Sequence, residues 1–450
     1  MALSISSVRQ ALHGSWLRQG VWSVLDQGLF AGANFLVNVL LARWLTPDAY
    51  GAFTVAFVVF LLAGTVHGGL LIEPMLVFGR GQFEGRTATY LRELLRAHAG
   101  YALVSGGVLM VVALVCWIVG SPGFAALFGT LAVAQGAILG LWLLRRACYL
   151  VSRPAWAANA GLLYLLLLTA SAIGLYQIDA LTGVTALWLM AGASLVASVL
   201  LAFRLGVFGA RREADLARQA RASHIEYGRW AASTGVLEWA QLAVPFLVLP
   251  LFVGLDGSAT LRALFNLAMP AAQGFAALAT MCLPLLVRAR FEGTFRQKLI
   301  VLGSGFAGLG LLYGLLVLGF GGPAVLWLYD GAYVATPGML ICLALVPVTV
   351  SIANVLTTAV RSAERPSAVF RARTLALGVT STVGVALTAV LGVLGALIGE
   401  VVMLLAEIVA LVQPARAVAA HPDPVGLSIT EDGPDTAADA QAASLESAWI

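Results

Sequence analysis

Five carboxylates fall inside or at the edge of long apolar runs: Asp26, Glu73, Glu238, Glu400 and Glu407. An ionised side chain in hydrocarbon is costly, so by default it faces a bundle interior or a water-filled path and has a partner there. Asp26 and Glu238 stand 212 residues apart in similar surroundings. Two roles fit them: binding a proton or a small cation such as Na+, or making a structural hydrogen bond to Asn34, Gln241 or an arginine at a helix end. Glu400 and Glu407 are seven apart, two turns along one helix face. Glu407 lies near enough the end of its run to be solvated. Glu73 precedes Pro74 and follows Gly68-Gly69, where a proline would free a backbone carbonyl and kink the helix. His67, about two turns earlier, would pair with Glu73, titrate near neutral pH, or simply pack.

A second chemistry is cationic. The arginine fork binds phosphate bidentately, so a phosphate-bearing ligand would seek it. Arg18, Arg80, Arg229, Arg288 and Arg290 end apolar runs. They would either receive a charged head group at an inner mouth or only set topology. No cation is expected mid-run. Asn34 and Asn38 add uncharged donors beside Asp26. Arg43 and Arg262 fall at the opposite ends and would suit an outer gate, paired with Asp48 and Asp256. Catalytic and metal chemistry find no constellation. Cys116, Cys148, Cys282 and Cys342 lack zinc or redox spacing and read as small packed hydrophobes. Gly303-Ser304-Gly305-Phe306-Ala307-Gly308 spells a dinucleotide fingerprint but follows no strand, so it reads as close helix packing. Gly28 and Gly32 form a GxxxG pair suited to helix contact, which would also leave room for a ligand beside Asp26.

The elements that must carry these residues are membrane spans. The chain is 60% hydrophobic and 11% charged, whereas soluble domains carry roughly 25% charged residues. About twenty apolar residues at a rise of about 1.5 Å cross a bilayer core. Twelve runs of that length occur, near 21–44, 49–77, 99–120, 123–147, 155–176, 182–205, 230–254, 258–287, 299–320, 336–360, 372–391 and 393–413. With the N-terminus in the cytoplasm, all of the 26 basic residues except Arg43 and Arg262 fall in cytoplasmic loops. Both termini are then cytoplasmic. The basic residues are scattered singly, leaving no face for nucleic acid. Glu84–His98 reads as an amphipathic helix along the inner interface. Residues 414–450 read as a disordered acidic tail.

The two halves align at a shift of about 210 residues. Pro74 matches Pro284, Phe83-Glu84-Gly85 matches Phe291-Glu292-Gly293, and Arg153-Pro154 matches Arg365-Pro366. The expectation is an all-α polytopic membrane protein of twelve transmembrane helices. Its lobes would be 1–205 and 229–413, joined by a basic linker at 206–228 and related by a pseudo-two-fold along the membrane normal, as in transporters that rock two bundles.

The segment DQGLFAGANFLVNVLLARWLTPDAYGAF followed by HGGLLIEPMLVFGRGQF resembles the polysaccharide flippase branch of the multidrug/oligosaccharidyl-lipid/polysaccharide exporter superfamily. The match is sharp over about residues 20–85. That resemblance implies a non-enzymatic flippase in the bacterial cytoplasmic membrane. Its cargo would be undecaprenyl-pyrophosphate-linked oligosaccharide, moved from the inner to the outer leaflet by ion-coupled alternating access. Membrane lipid, a polysaccharide polymerase and glycosyltransferases would be its partners, with no cofactor beyond the coupling ion. The resemblance also implies a cation site among helices 7, 11 and 12, which draws Glu238 and Glu400 together. A cation-coupled exporter of small amphipathic molecules is the alternative within the superfamily. A membrane glycosyltransferase or ligase would need a sizeable outer loop with catalytic side chains, whereas the outer loops here are short and nearly uncharged, and a non-transporting scaffold in a polysaccharide assembly complex stays open.

Overall fold

The computed structural model describes residues 5–363 and 365–420, and among them every regular element is helical. Twelve helices are long and apolar enough to cross a membrane. They are α1 (Ile5–Trp44), α2 (Pro47–Phe78), α3 (Thr87–Ile118), α4 (Pro122–Leu150), α5 (Pro154–Gln177), α6 (Gly183–Arg204), α7 (Ala214–Phe252), α8 (Leu255–Phe291), α9 (Phe295–Tyr329), α10 (Pro337–Ser362), α11 (Pro366–Leu391) and α12 (Val393–Ala420). Local chemistry explains the punctuation. Prolines open α2, α4, α5, α10 and α11 at positions whose N–H would go unused anyway. Thr182 caps α6 through a reciprocal hydroxyl pair with Thr185. Short π-helical turns interrupt α2 at Gly68–Ile72 and α11 at Thr380–Gly384.

By contacts the chain falls into two compact units, 1–38 with 67–229 and 39–66 with 230–450. Each crossing between units lies inside a helix: in α1 after Asn38, in α2 after Val66 and in α7 after Arg229. In the first unit α3 packs on α4, α4 on α5 and α6, and α5 on α6. In the second, α9 packs on α10, α10 on α11 and α12, and α11 on α12. These are the same pairings six helices later. The inferred duplication therefore has its counterpart in packing. It also shows in Arg153 and Arg365, which stand before helix-opening prolines with nearly equal backbone angles.

Three segments differ from the sequence expectation. Residues 206–228 are not a linker: a short turn at Val207–Gly209 leads into α7, which already begins at Ala214. Glu84–His98 is no separate interfacial helix, because α3 runs unbroken from Thr87 to Ile118. Its Leu91 and Leu94 are buried, so that stripe is core rather than a lipid-facing surface. Residues 414–420, expected to open a disordered acidic tail, are instead the end of α12, which continues to Ala420, and residues 421–450 lie outside the described part.

Packing by glycine also differs from the motif reading. Gly303, Gly305 and Gly308 meet no described atom that a side chain would touch; close approach falls instead to Gly310 and Gly314. A Cβ on Gly314 would lie 2.4 Å from the Ala344 carbonyl oxygen of α10. Gly28 and Gly32 likewise face open space, so they make no helix contact and leave room on the Asp26 helix.

Candidate functional site

Within the first unit, Asp26 of α1 is fully buried, 0% exposed. Arg145 of α4 reaches it with Nη2 at 2.7 Å and Nε at 3.0 Å, both to Oδ1. The Tyr149 hydroxyl donates to Oδ2 at 2.8 Å, which fills the carboxylate's second oxygen. Phe30, one turn on from Asp26, lays its ring 3.7 Å from the Arg145 guanidinium carbon, an arrangement that favours a desolvated cation. Asn34 accepts from Tyr164 at 3.5 Å, and its backbone carbonyl accepts from Asn38 at 2.9 Å. Of the hydrogen-bond partners expected for Asp26, the arginine is the one present. Arg145 is not mid-run, since it lies five residues before Leu150 at the end of α4, but at 4% exposed it is buried there rather than solvated. Sequence spacing hid it because Arg145-Arg146 reads as an ordinary basic helix end.

Arg80 joins the same neighbourhood by donating to the Tyr149 carbonyl at 2.6 Å and to Ser152 at 3.2 Å. Arg18 and Arg229 are exposed in this unit, while Arg288 and Arg290 belong to the other. Arg288 is held by Glu292 at 2.6 Å, and Arg290 donates to the Ser362 carbonyl at 2.7 Å. Hydrogen bonds from Arg288 and Lys298 hold the Glu292 carboxyl, just past the end of α8, below the usual carboxylate range.

In the second unit Arg373 of α11 pairs with Glu238 of α7 and lies 3.7 Å from Glu407 of α12. Gln241 donates to the Arg373 carbonyl at 2.8 Å. Glu407 is therefore buried beside a cation and not solvated at a helix end. Glu400, two turns earlier on α12, is buried as well. Next to it Gly399 touches Gly384, so the π-turn of α11 packs on α12 there, and the Thr380 hydroxyl of that turn is buried without a hydrogen-bond partner. A small pocket lined by Pro245, Thr380, Thr388 and Gly399 opens at this contact. Asp26 and Glu238 match in sequence position only. One takes its arginine from α4 and the other from α11, which are not equivalent helices.

The two outer-gate candidates also lie in the second unit. Arg43 pairs with Asp330 at 3.5 Å and donates to the Trp327 carbonyl at 3.1 Å, so its acid is Asp330 and not the expected Asp48. Arg262 is buried beside Tyr50, with Asn266 and Tyr329 adjoining. Glu73 is buried on α2 near Tyr227 of α7. His67 bonds to His98 rather than to Glu73. Among the described residues no group of three or more His, Cys, Asp or Glu could hold a metal.

Solved structures share this architecture. An inward-facing multidrug-resistance MATE transporter of the MOP superfamily superposes with a TM-score of 0.68 at 14% identity, over 88% of this chain and 98% of that one. The lipid II flippase MurJ in an inward closed conformation gives 0.65 at 10% identity, over 89% and 90%. The fold is that of the MATE and MurJ transporters. A MOP superfamily transporter from Pyrococcus furiosus, described as having a binding pocket of reversed polarity, gives 0.60 at 14% identity over 90% and 96%. No protein-family model matches the chain, and no curated protein matches its sequence. At these identities the likeness fixes the MATE/MurJ-like fold and leaves the cargo to chemistry.

Proposed function

We propose that the chain is an exporter that flips undecaprenyl-pyrophosphate-linked oligosaccharide from the inner to the outer leaflet of the bacterial cytoplasmic membrane. Movement follows alternating access coupled to H+ or Na+. A polysaccharide polymerase and glycosyltransferases act before and after it. One observation carries the reading: Arg145, a guanidinium buried among apolar helices on a stem of α4. Arg145 is paired with Asp26, so a phosphate would take its fork by displacing that carboxylate, whereas a cationic drug would compete with Arg145 for it. Gly28 and Gly32 leave open space along the same helix as its partner Asp26. The lipid II flippase among the structural neighbours supports a lipid-linked cargo of this class.

We assign coupling to the second unit. Glu238, Glu400 and Glu407 bring three carboxylates to α7 and α12, against the single guanidinium of Arg373. Unpaired negative charge in a buried site must be neutralised by a proton or a cation. Glu400 is the acid assigned to that exchange. The same excess of acid favours a second reading, export of small amphipathic cations.

Purified full-length protein in nanodiscs separates the two. A short-chain polyprenyl pyrophosphate bearing a sugar should bind, ethidium should not, and Arg145→Gln should weaken the first at least about tenfold, roughly 1.4 kcal/mol. Ethidium binding with no pyrophosphate binding would replace the flippase with the drug exporter.

A further inference from the structure

Three histidines of the first unit, from three helices, converge on one turn of α2. That turn is Gly68–Ile72, where the helix has π rather than α pitch, immediately after the chain passes into this unit at His67. π-turns inside α-helices often mark functional sites. His67 Nε2 lies 3.0 Å from His98 Nδ1 of α3. His224 of α7 contacts the Leu70 carbonyl through Nδ1 at 3.0 Å and the Tyr90 hydroxyl through Nε2 at 2.7 Å. Gly228 packs directly on the backbone of Gly69 and Leu70.

The proton positions follow from the partners. The Gly136 carbonyl accepts from His98, and since His98 Nδ1 already faces His67, the donor is Nε2–H. A neutral His98 then has Nδ1 as acceptor, so His67 donates through Nε2–H. That leaves His67 Nδ1 as a bare lone pair, buried and without a hydrogen-bond partner. A proton arriving there makes a buried imidazolium whose new N–H has no acceptor in this arrangement. If His98 Nδ1 were protonated instead, two N–H groups would face each other at the same contact. Neither charged form suits the clasped geometry.

The surroundings say where a charged His67 would go. From α3 come His98, Tyr101 and Tyr90, with Glu93 and Arg96 paired to each other at 2.5 Å. From α7 come His224 and Tyr227, and from α4 the backbone at Gly136 and Gly140. Of the two acids on α2 itself, Asp48 lies in the first turn and Glu73 at the far end of the π-turn. Drawing the extra residue out of a π-turn rotates the segment before it by about 100° relative to the segment beyond. That rotation changes the face His67 presents relative to Glu73.

We propose that His67 and His98 form a proton-binding site, and that protonation releases the π-turn of α2. The ligand is a proton, and the output is a change of pitch in a helix shared by both units. Its part in transport rests on the exporter reading; the site itself does not. Linkage fixes the sign. The clasped geometry holds no acceptor for a new His67 N–H, so proton uptake goes with release and release is favoured as pH falls.

The test is hydrogen–deuterium exchange of full-length protein in nanodiscs, following the segment Gly68–Phe78 at pH 7.5 and 5.5, corrected for intrinsic rates. No cargo is added, so a failed cargo assay leaves this measurement intact. Corrected exchange of the wild type should be faster at pH 5.5 than at pH 7.5, by up to about tenfold per pH unit. His67→Asn and His98→Asn should lose that response, while His224→Gln should exchange faster at both pH values and keep it. Corrected exchange of the wild type that is the same at both pH values overturns the site, whatever the variants do. A response that survives in monodisperse His67→Asn and His98→Asn, or vanishes only in His224→Gln, overturns it too.

Discussion

At the scale of single residues, the buried charges are organised as pairs whose members come from different helices. Asp26 and Arg145 illustrate the energetics. Both ions are desolvated, and the pair is close, with Tyr149 completing the carboxylate. Breaking such a pair from one side leaves an uncompensated charge and costs about 3–5 kcal/mol, whereas replacing both ions by neutral groups is far milder. Arg145→Gln and Asp26→Asn should therefore each lower thermal stability in detergent markedly. The double variant should recover most of that loss, giving a large coupling energy in the cycle. Additive losses would mean the two side chains do not depend on each other. Asp26 was legible as a buried acid from its place in an apolar run. Its partner was not, because Arg145 sits one residue before Arg146 and only tertiary packing separates the buried arginine from its half-buried neighbour. His98 was hidden in the same way, inside what reads as an amphipathic surface stripe.

At the scale of elements, apolar length and helix-breaking residues were enough to count twelve spans, and prolines and glycines marked most of their ends. Boundaries failed where polar sequence is helical anyway, as in the first turns of α7 and α3. Their arginines are carried along by a helix whose other faces are packed. Glycine motifs were the poorest guide, since spacing shows that helices are able to approach but not which face does so. The contrast is testable in α9. Gly314→Ala places a methyl 2.4 Å from the Ala344 carbonyl oxygen, so α9 and α10 must part, at a cost on the order of 1–3 kcal/mol. Gly305→Ala adds its methyl to open space and should gain up to about 1 kcal/mol from helix propensity. Detergent melting curves should thus move in opposite directions for two alanine substitutions nine residues apart. Equal destabilisation would place Gly305, too, in a helix contact.

For the whole molecule, the duplicated packing scheme and the distribution of arginine predict one topology. An even number of spans per repeat inserts both copies the same way up, so basic loops accumulate on one side. The segment between α6 and α7 carries Arg211 and Arg212, whereas the turn between α9 and α10 holds Asp330 and Gly331 with no basic residue. Intact cells should then separate these two loops with a membrane-impermeant thiol reagent. The native cysteines are all free, so they are first replaced, and single cysteines are placed at the exposed positions Arg212 and Ala332. Ala332→Cys should label from outside, and Arg212→Cys only after the membrane is opened. The reverse pattern would invert the protein in the bilayer. The arginines at the inner mouth would then face the outside, and the direction of flipping proposed for the cargo would have no structural basis.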